Sequence, residues 1–354
     1  MLHFPDWRGG YQGLLAEWLA DVGVDVAFAD YVGALLPLVR NLRRHRCEIL
    51  HLHWIAEVSG ADERNPLKYV LKQLVFRLDV ILASLLTRGR IVWTVHNLTS
   101  HENRHPRGDL AARRFLARRA ASLIAHSPSA RALISRTYGT PPERILLVPH
   151  GHYLDRYENA VGRRESRRRL GLDDDAFVFL FFGSLRPYKG VEDLVAAFER
   201  RPEPHARLVI AGPASDARYL ETIRARASAE RVLLRPGFVD DKDVQVFFNA
   251  ADVVVLPFRD VLTSASVILA MSFARMVVAP RLGCIPDYVH PDGGILYDPQ
   301  APGALAAALA RAVETDAIAC GRRNLERVRE FEWSDAAART ARLYATLTAP
   351  AAAS

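Results

Sequence analysis

Short apolar segments alternate with helix-like segments along nearly the whole chain, and this series restarts once near the middle. Such alternation is typical of βαβ units, which build parallel sheets covered by helices. The first series of predicted strands comprises residues 24–29, 48–54, 91–96, 122–127 and 144–149. The second series comprises residues 177–182, 207–211, 231–234, 252–257, 276–279 and 294–296. The sequence therefore predicts an α/β protein with two Rossmann-like domains, whose carboxyl edges we expect to face each other across a cleft.

The length of 354 residues exceeds that of one comfortable hydrophobic core and fits two domains. We place the first domain at residues 1–158 and the second at 159–335, because a charged connector separates the two series. The C-terminal helix and tail, residues 336–354, would pack back onto the first domain. Residues 2–4 are short for the first strand of such a sheet, which suggests that the true start lies upstream.

A turn bounded by glycines, residues 183–190, follows the strand-like run 177–182 and precedes a helix-like run. It therefore falls at the carboxyl end of a strand, where open α/β sheets bind ligands. Gly183 allows a ligand to approach the backbone closely, and Arg186 and Lys189 add two positive charges. The turn predicts a diphosphate site, and the simpler alternative is a solvated basic turn.

A second anion-binding feature is predicted at Thr263 and Ser264, which open a helical run. Either residue can cap that helix while the free amides of its first turn face a phosphate. Residues 173–175, three consecutive aspartates, resemble a metal-binding motif by composition, but they precede a strand and are interpreted as a loop. The three cysteines lie far apart without metal-binding spacing. We therefore expect neither a metal nor a cofactor.

Polar and aromatic residues follow the predicted strands of the first domain, which would gather them at one edge of its sheet. In chain order they are Arg8, Gly9, Gly10 and Tyr11, then Trp54 and Glu57, then His96, His101 and Glu102, with His152 at the hinge. One histidine in such a loop is more often structural than catalytic, but clustering after successive strands indicates a site.

The net charge of +7 lies entirely in the first half, since residues 1–150 hold 20 Lys and Arg against 13 Asp and Glu. Many of these bases fall beside apolar residues in helix-like segments, including residues 40–46, 68–77 and 113–119. This pattern suits an anionic membrane surface, and its simpler alternative is a solvated face. Nucleic acid is not expected, because neither an RNP-type motif nor a zinc finger is present. The chain has no apolar run long enough for a membrane span and no leader-like start, so we expect a cytoplasmic protein.

Several short segments resemble GT-B glycosyltransferases of the broad GT4-like group. They are residues 186–190 (RPYKG), 283–287 (GCIPD) and 331–334 (FEWS). A further set is similar to the xanthan-type β-mannosyltransferases, the GT94-like GDP-mannose:glycolipid 4-β-D-mannosyltransferases. That set is residues 50–54 (LHLHW), 94–98 (TVHNL), 101–102 (HE), 150–153 (HGHY) and 264–279. A nicotinamide dehydrogenase would instead need a Gly-x-Gly-x-x-Gly after the first strand, and residues 8–11 do not supply it.

This resemblance implies an acceptor-binding first domain and a nucleotide-sugar-binding second domain. It implies inverting transfer of mannose from GDP-mannose to the 4-hydroxyl of a glucuronate in a polyprenyl-diphosphate-linked oligosaccharide of exopolysaccharide assembly. The enzyme would then act peripherally on the inner face of the cytoplasmic membrane. Two alternatives are a related transferase with another nucleotide-sugar donor and acceptor, and a catalytically silent paralogue that binds a nucleotide sugar or glycan.

The resemblance also implies roles for the candidate residues. Retaining relatives carry a Glu-x7-Glu pair where this chain has Val261 and Leu269, which argues for inversion. Glu102 is then the predicted general base, with His101 beside it and Glu57 as the alternative. The predicted donor-binding residues are His96, His152, Gly183, Arg186, Lys189, Thr263 and Ser264, and the predicted acceptor-binding residues are Arg8, Gly9, Gly10, Tyr11 and Trp54.

Overall fold

The structure, a computed structural model, describes residues 1–6, 10–30, 33, 35–101, 104–200 and 203–349. Residues 1–150 and 332–354 form one compact unit, here called unit 1, and residues 151–331 form a second, unit 2. The sequence-based boundaries had been placed at residues 158 and 335. The hinge histidine, His152, therefore belongs to unit 2.

Unit 1 is built on a six-stranded sheet in which every described pairing is parallel. Its strands are β1 (Leu2–Phe4), β2 (Ala27–Phe28), β3 (Leu50–Leu52), β4 (Ile91–Thr94), β5 (Ser122–Ala125) and β6 (Ile145–Leu147). Their order is β2-β1-β3-β4-β5-β6, so the direction of winding reverses between β1 and β3. The three central strands are buried along their whole length, as expected for a parallel sheet covered on both faces.

Helices connect these strands. They are α1 (Tyr11–Asp21), α2 (Pro37–His45), α3 (Ala56–Ser59), α4 (Pro66–Leu86), α5 (Pro106–Arg119) and α6 (Pro128–Tyr138). The caps of two of them are legible in the sequence: Asn65 accepts from two amides at the start of α4, and Ser127 accepts from Ala130 at the start of α6.

Unit 2 is built on a second all-parallel sheet of six strands. Its strands are β7 (Phe177–Phe182), β8 (Ala206–Gly212), β9 (Val232–Pro236), β10 (Val253–Val255), β11 (Met276–Pro280) and β12 (Gly294–Tyr297). The order β12-β11-β10-β7-β8-β9 is the doubly wound order of a Rossmann fold, and its winding reverses between β7 and β10.

The helices of unit 2 cover this sheet. They are α7 (Arg163–Leu170), α8 (Val191–Glu199), α9 (Ala217–Arg224), α10 (Asp241–Ala250), α11 (Ala265–Ser272), α12 (Ile285–Tyr288), α13 (Ala304–Glu314) and α14 (Ala317–Val328). Short 3-10 turns also occur at Pro187–Lys189 and Pro291–Gly293 in unit 2, and at Pro142–Arg144 in unit 1. The predicted strand at residues 177–182 coincides with β7.

The last helix, α15 (Trp333–Thr348), returns to unit 1. Its buried residues Trp333 and Tyr344 join α1 residues such as Leu15 in the hydrophobic core of that unit. The Tyr344 hydroxyl lies within hydrogen-bonding distance of His3 and His51, which ties α15 to the sheet.

Both units therefore confirm the predicted α/β class with two parallel, Rossmann-like sheets. None of the helices in the described ranges is both long and apolar enough to cross a bilayer.

Candidate active site

Five predicted site residues of unit 2 lie where the winding of its sheet reverses. The loop after β7 carries Gly183, Arg186 and Lys189, and the loop after β10 leads to Thr263 and Ser264. A doubly wound sheet leaves a crevice at the carboxyl ends of these two strands, because their connections run to opposite faces. The aspartates of residues 173–175 instead form a loop before β7, at the other edge of the sheet.

In the loop after β7, the ammonium of Lys189 lies close to the backbone of Gly183. A β-carbon built on Gly183 would lie 3.1 Å from Lys189 Nζ and 3.7 Å from Ser266 Oγ on the first turn of α11. Gly183 has φ +134°, a conformation that side-chain-bearing residues rarely adopt. Bare backbone, an ammonium and a hydroxyl from two loops therefore meet at one point, which is the composition of an anion site.

Burial first, and the positive charge of Arg186 second, lower the pKa of the Lys189 ammonium to about 8. Two cations held close together without an anion between them repel each other, so a bound diphosphate would relieve that repulsion. The charge arrangement of this loop thus favours an anionic ligand.

A polar network centred on Arg259 fixes the shape of the loop after β7. Arg259 forms ion pairs with Asp193 at 2.7 Å and Glu192 at 2.9 Å in the first turn of α8. Its amide donates to Tyr188 O at 2.8 Å, and its guanidinium donates to Pro187 O at 3.2 Å. Sequence reasoning missed Arg259, because residues this far apart along the chain give no local signal of their pairing.

Ser264 is the N-cap of α11, and its hydroxyl accepts from the amide of Val267 at 3.3 Å. The predicted cap is thereby confirmed for Ser264, with Thr263 one residue before it. Val261 and Leu269, which stand where retaining relatives carry carboxylates, place apolar side chains at this loop and helix. Leu269 is buried.

Unit 2 also contains a cavity of about 420 Å³, none of whose lining residues belongs to the loops after β7 and β10. It is lined by Arg169, Leu170, residues 235–240, Asp243, Val246 and Phe247. The Phe247 ring lies 5.9 Å from that of Phe182, the last residue of β7. The cavity has the size and the mixed apolar and polar lining of a small-molecule site. The amide of His152, the predicted hinge residue, donates to Phe331 O at 2.8 Å, and its Nδ1 accepts from the amide of Leu154 at 3.4 Å.

In unit 1, histidines stand at or just beyond the ends of five adjacent strands. They are His3 on β1, His51 and His53 at β3, His96 after β4, His126 after β5 and His150 after β6, and all are buried. Tyr11, at the start of α1, packs among them, with its ring centroid 4.9 to 5.8 Å from those of His53, His96, His126 and His150. We call these six histidines and Tyr11 the histidine cluster.

Two predicted site residues of this unit, Tyr11 and His96, belong to this cluster, and a third, Trp54, packs against it. Trp54 stacks on His96 with ring centroids 4.2 Å apart, and His96 lies 5.1 Å from Tyr11. Gly10 immediately precedes α1 as its N-cap residue. Arg8 and Gly9 lie outside the described residues. The structure thus brings Tyr11, Trp54 and His96 together at the strand ends of the sheet.

Burial keeps five of these histidines neutral. Desolvation lowers the pKa of His3 and of His126 to about 3, and it lowers the pKa of His51, His53 and His96 well below the usual value. Nearby histidines add to the effect for the last three, since a second positive charge among them would be repelled. The cluster can therefore exchange hydrogen bonds with a neutral hydroxyl but is a poor proton acceptor at neutral pH.

Ring nitrogens of His3, His51 and His53 lie within 4.8 Å of one another, close enough to suggest a metal site. His51 already uses both nitrogens, one toward the Tyr344 hydroxyl and the other toward Thr94 Oγ1 at 2.7 Å. A metal ion there would have to displace one of these bonds and draw the rings together. The residues present do not fit a metal ion.

The loop that follows β4 and leads to His101 is fixed by three residues that were not among the predicted site residues. Asp109 accepts from the amide of Ser100 at 2.6 Å and pairs with Arg113 at 2.9 Å. Arg113 donates to Asn97 O at 2.9 Å, and the Tyr138 hydroxyl donates to Leu98 O at 2.8 Å. Glu102, the predicted base, lies outside the described residues, and Glu57 is an exposed residue of α3.

Arg113 corrects one expectation. It had been grouped with the basic residues thought to face an anionic surface, but its side chain is buried against Asp109. Its neighbours Arg114, Arg118 and Arg119 are exposed, as predicted.

The fold and the site together define a glycosyltransferase of the GT-B type. Residues 64–156 match the family described as Glycosyltransferase Family 4, and residues 176–315 match Glycosyl transferases group 1. The chain is a GT-B glycosyltransferase of this group 1, GT4-like class, as the sequence had indicated.

Individual relatives agree with this class. A D-inositol 3-phosphate glycosyltransferase of Corynebacterium glutamicum is 27% identical over 95% of this chain and 79% of its own length. A GDP-mannose:glycolipid 4-beta-D-mannosyltransferase of Xanthomonas campestris pv. campestris is 29% identical over 79% of this chain and 75% of its own length. Among solved structures, sucrose-phosphate synthase from Thermosynechococcus elongatus superposes with a TM-score of 0.77 at 20% identity, covering 98% of each chain.

Proposed function

We propose that this glycosyltransferase is inverting and transfers mannose from GDP-mannose to a lipid-linked oligosaccharide, onto the 4-hydroxyl of a glucuronate, in exopolysaccharide assembly. The observation that carries the proposal is the switch point of unit 2. There a cationic glycine loop faces the start of α11, and apolar Val261 and Leu269 replace the carboxylate pair of retaining relatives. The Xanthomonas relative supports the choice of donor and acceptor by its name.

The leaving diphosphate would be held by Lys189, Arg186 and the first turn of α11, beyond its Ser264 cap. These groups are preorganised to stabilise the negative charge that develops as the glycosidic bond to phosphate breaks. The cavity beside Phe247 offers room for the nucleoside. No metal takes part in this proposal, since two side-chain cations and helix amides supply the positive charge.

Glu102 would remove the proton of the acceptor hydroxyl as the sugar is transferred. The Asp109, Arg113 and Tyr138 bonds would keep the preceding loop in place for that step. Tyr11, Trp54 and the neutral His96 would contact sugar rings and hydroxyls. We further propose that the basic surface of the first half of the chain holds the enzyme at the inner face of the cytoplasmic membrane.

A second candidate has the same mechanism but a different acceptor. The Corynebacterium relative covers more of this chain than the Xanthomonas one does, and its name indicates an inositol phosphate acceptor. That acceptor is small and water-soluble and would not require a membrane.

The deciding experiment supplies a panel of nucleotide sugars, with and without EDTA, and measures both donor hydrolysis and transfer to two acceptors. The acceptors are a lipid-linked oligosaccharide ending in glucuronate and inositol 3-phosphate. We expect GDP-mannose to be hydrolysed slowly and transferred to the lipid acceptor, with the product formed in inverted configuration and in the presence of EDTA. Transfer only to inositol phosphate would select the second candidate, and activity restored only by a divalent cation would contradict the metal-free site.

A further inference from the structure

Helix α4 presents its apolar residues to solvent. Of the twelve large hydrophobic side chains exposed in the described residues, seven lie on this helix, between 47% and 82% exposed. Six of them form one stripe along the 21-residue helix, namely Leu67, Val70, Leu71, Leu74, Leu78 and Leu85. From Leu67 to Leu85 the stripe is about 27 Å long, at 1.5 Å per residue. Contiguous exposed apolar surface of this kind marks an interaction site.

The opposite face of α4 buries Phe76, Val80 and Ala83 together with two polar residues, whose hydrogen bonds hold the helix in this orientation. Asp79 accepts from the amides of Leu38 and Val39 in the first turn of α2, at 2.8 and 3.0 Å. Gln73 donates to Ser59 O of α3 at 2.7 Å. Rotating the leucines inward would break these buried bonds, so the outward stripe is a stable feature of the fold.

Exposed cations flank the stripe on both sides. On one side α2, held by Asp79, exposes Arg40, Arg43 and Arg44. On the other side Arg77 lies 5.9 Å from the Phe115 ring of α5, which exposes Arg107, Arg114, Arg118 and Arg119. The helix itself adds Lys68 and Lys72.

The acidic residues of these helices do not offset that charge. Helix α2 contains none, and the carboxylates of α4 and α5, Asp79 and Asp109, are both buried. The exposed charges on the three helices themselves are therefore all positive, and two of them pair with carboxylates outside these helices, Arg44 with Asp30 and Lys72 with Glu63.

We propose that α4 is a membrane-docking helix that inserts its leucine stripe into the interfacial region of an anionic bilayer. An apolar stripe bordered by Lys and Arg is the pattern of a helix lying in the membrane plane, with its apolar face among acyl chains and its cations at lipid phosphates. A two-fold contact between two copies of the chain would instead bring the cationic borders together, and like charges oppose such pairing. The choice of a membrane as partner rests on the proposed lipid-linked acceptor.

The test is vesicle cosedimentation with the full chain. The variant L71Q/L74Q/L78Q changes three exposed side chains, and V22Q/I318Q is a control that changes exposed apolar residues outside α4. We expect the wild type and the control to bind vesicles containing phosphatidylglycerol, with partial loss of binding at high salt. The triple variant should bind at least tenfold less at every salt concentration. If the triple variant binds vesicles as strongly as the wild type does, the proposal is overturned.

The same preparations test the alternative that a second copy of the chain covers the leucine stripe. Sedimentation velocity should show the same oligomeric state for the wild type and the triple variant. A dimer that the triple variant abolishes, together with no vesicle binding by the wild type, would assign the stripe to self-association and overturn the proposal.

Donor hydrolysis separates this inference from the proposed function, because it requires no membrane. If hydrolysis persists and vesicle binding is absent, only the docking inference fails. If vesicle binding depends on the stripe as expected but no sugar is transferred from any donor, the proposed function fails and the docking helix stands.

Discussion

Lys189 is the residue whose charge can be tested most directly, because its ammonium lies over Gly183 where the diphosphate is proposed to bind. Replacing it with Ala removes a charge-assisted contact of about 1.5 to 3 kcal/mol, which corresponds to donor binding about tenfold weaker or more. Titration calorimetry with GDP and GDP-mannose measures this change. Unchanged affinity would place the phosphates elsewhere.

The lowered pKa of Lys189, about 8, gives a pH dependence with a definite sign. Below pH 8 the free enzyme carries the ammonium that the diphosphate needs, and above it the proton must be taken up on binding. Donor affinity should therefore fall as pH rises from 8 to 9.5, by up to tenfold per pH unit. The variant K189R, whose guanidinium stays charged, should give a nearly flat profile over this range. The same fall in K189R would assign the pH dependence to another group.

Glu102 is predicted to act in catalysis but not in donor binding. E102Q keeps the size of the side chain and removes the base, so transfer should drop by roughly 10² to 10⁴ fold while GDP-mannose affinity stays near that of the wild type. E57Q is the matched variant, in an exposed carboxylate of the neighbouring α3. If only E57Q loses transfer, the general base is Glu57. If both variants retain transfer, His101 is the next candidate to replace.

At the scale of single elements, the loop after β4 depends on Tyr138 of α6. Its hydroxyl donates to Leu98 O, while its ring stacks on Trp93 at 5.3 Å. Y138F keeps the stacking and removes the bond, which should lower the free energy of unfolding by about 0.5 to 1.5 kcal/mol. Transfer should fall while GDP-mannose affinity is preserved. Denaturant unfolding and steady-state kinetics measure the two effects. A change in donor affinity equal to the change in transfer would argue against a role for this bond in positioning the loop.

Local chemistry explains which elements could be predicted from the sequence. The buried strand at residues 177–182 and the Ser264 cap each depend on a few adjacent residues, and both were found. The prediction that Arg113 is exposed was wrong, because the sequence spacing of an Asp and an Arg four residues apart on a helix is the same whether the pair is exposed or buried. The outward stripe of α4 was also missed, since that helix is apolar on its exposed face and its buried face includes Gln73 and Asp79. Only the tertiary contacts show which face is covered.

The candidate site was predictable only in part, for a related reason. The cations and glycines of the loop after β7 are contiguous, so their chemistry could be inferred without a structure. The histidine cluster is assembled from five strands and α1, and the sequence indicated only that histidines follow the strands. Their burial and their contact with Tyr11 depend on sheet order, which spacing along the chain does not specify.

At the scale of the whole molecule, the histidine cluster predicts that unit 1 loses stability in mild acid. His3 and His126 have pKa values of about 3 in the folded protein, against about 6.5 when unfolded, and the pKa values of His51, His53 and His96 are lowered as well. The unfolded state therefore binds more protons below pH 6.5. The histidine contribution to stability should be constant well above that pH and fall below it, by roughly 1.4 kcal/mol per pH unit for each histidine that gains a proton on unfolding. Asp79, whose pKa burial raises to about 6, acts in the opposite direction and offsets the effect of about one histidine.

All five tryptophans lie at positions 7, 18, 54, 93 and 333, within unit 1, so their fluorescence reports on that unit alone. Far-ultraviolet circular dichroism reports on both units. We expect urea unfolding followed by fluorescence to shift to lower urea between pH 6.5 and 5. The part of the circular dichroism change that belongs to unit 2 should shift less, because that unit has no comparable group of buried histidines among its described residues. A fluorescence midpoint independent of pH over this range would show that the cluster is protonated without loss of the fold.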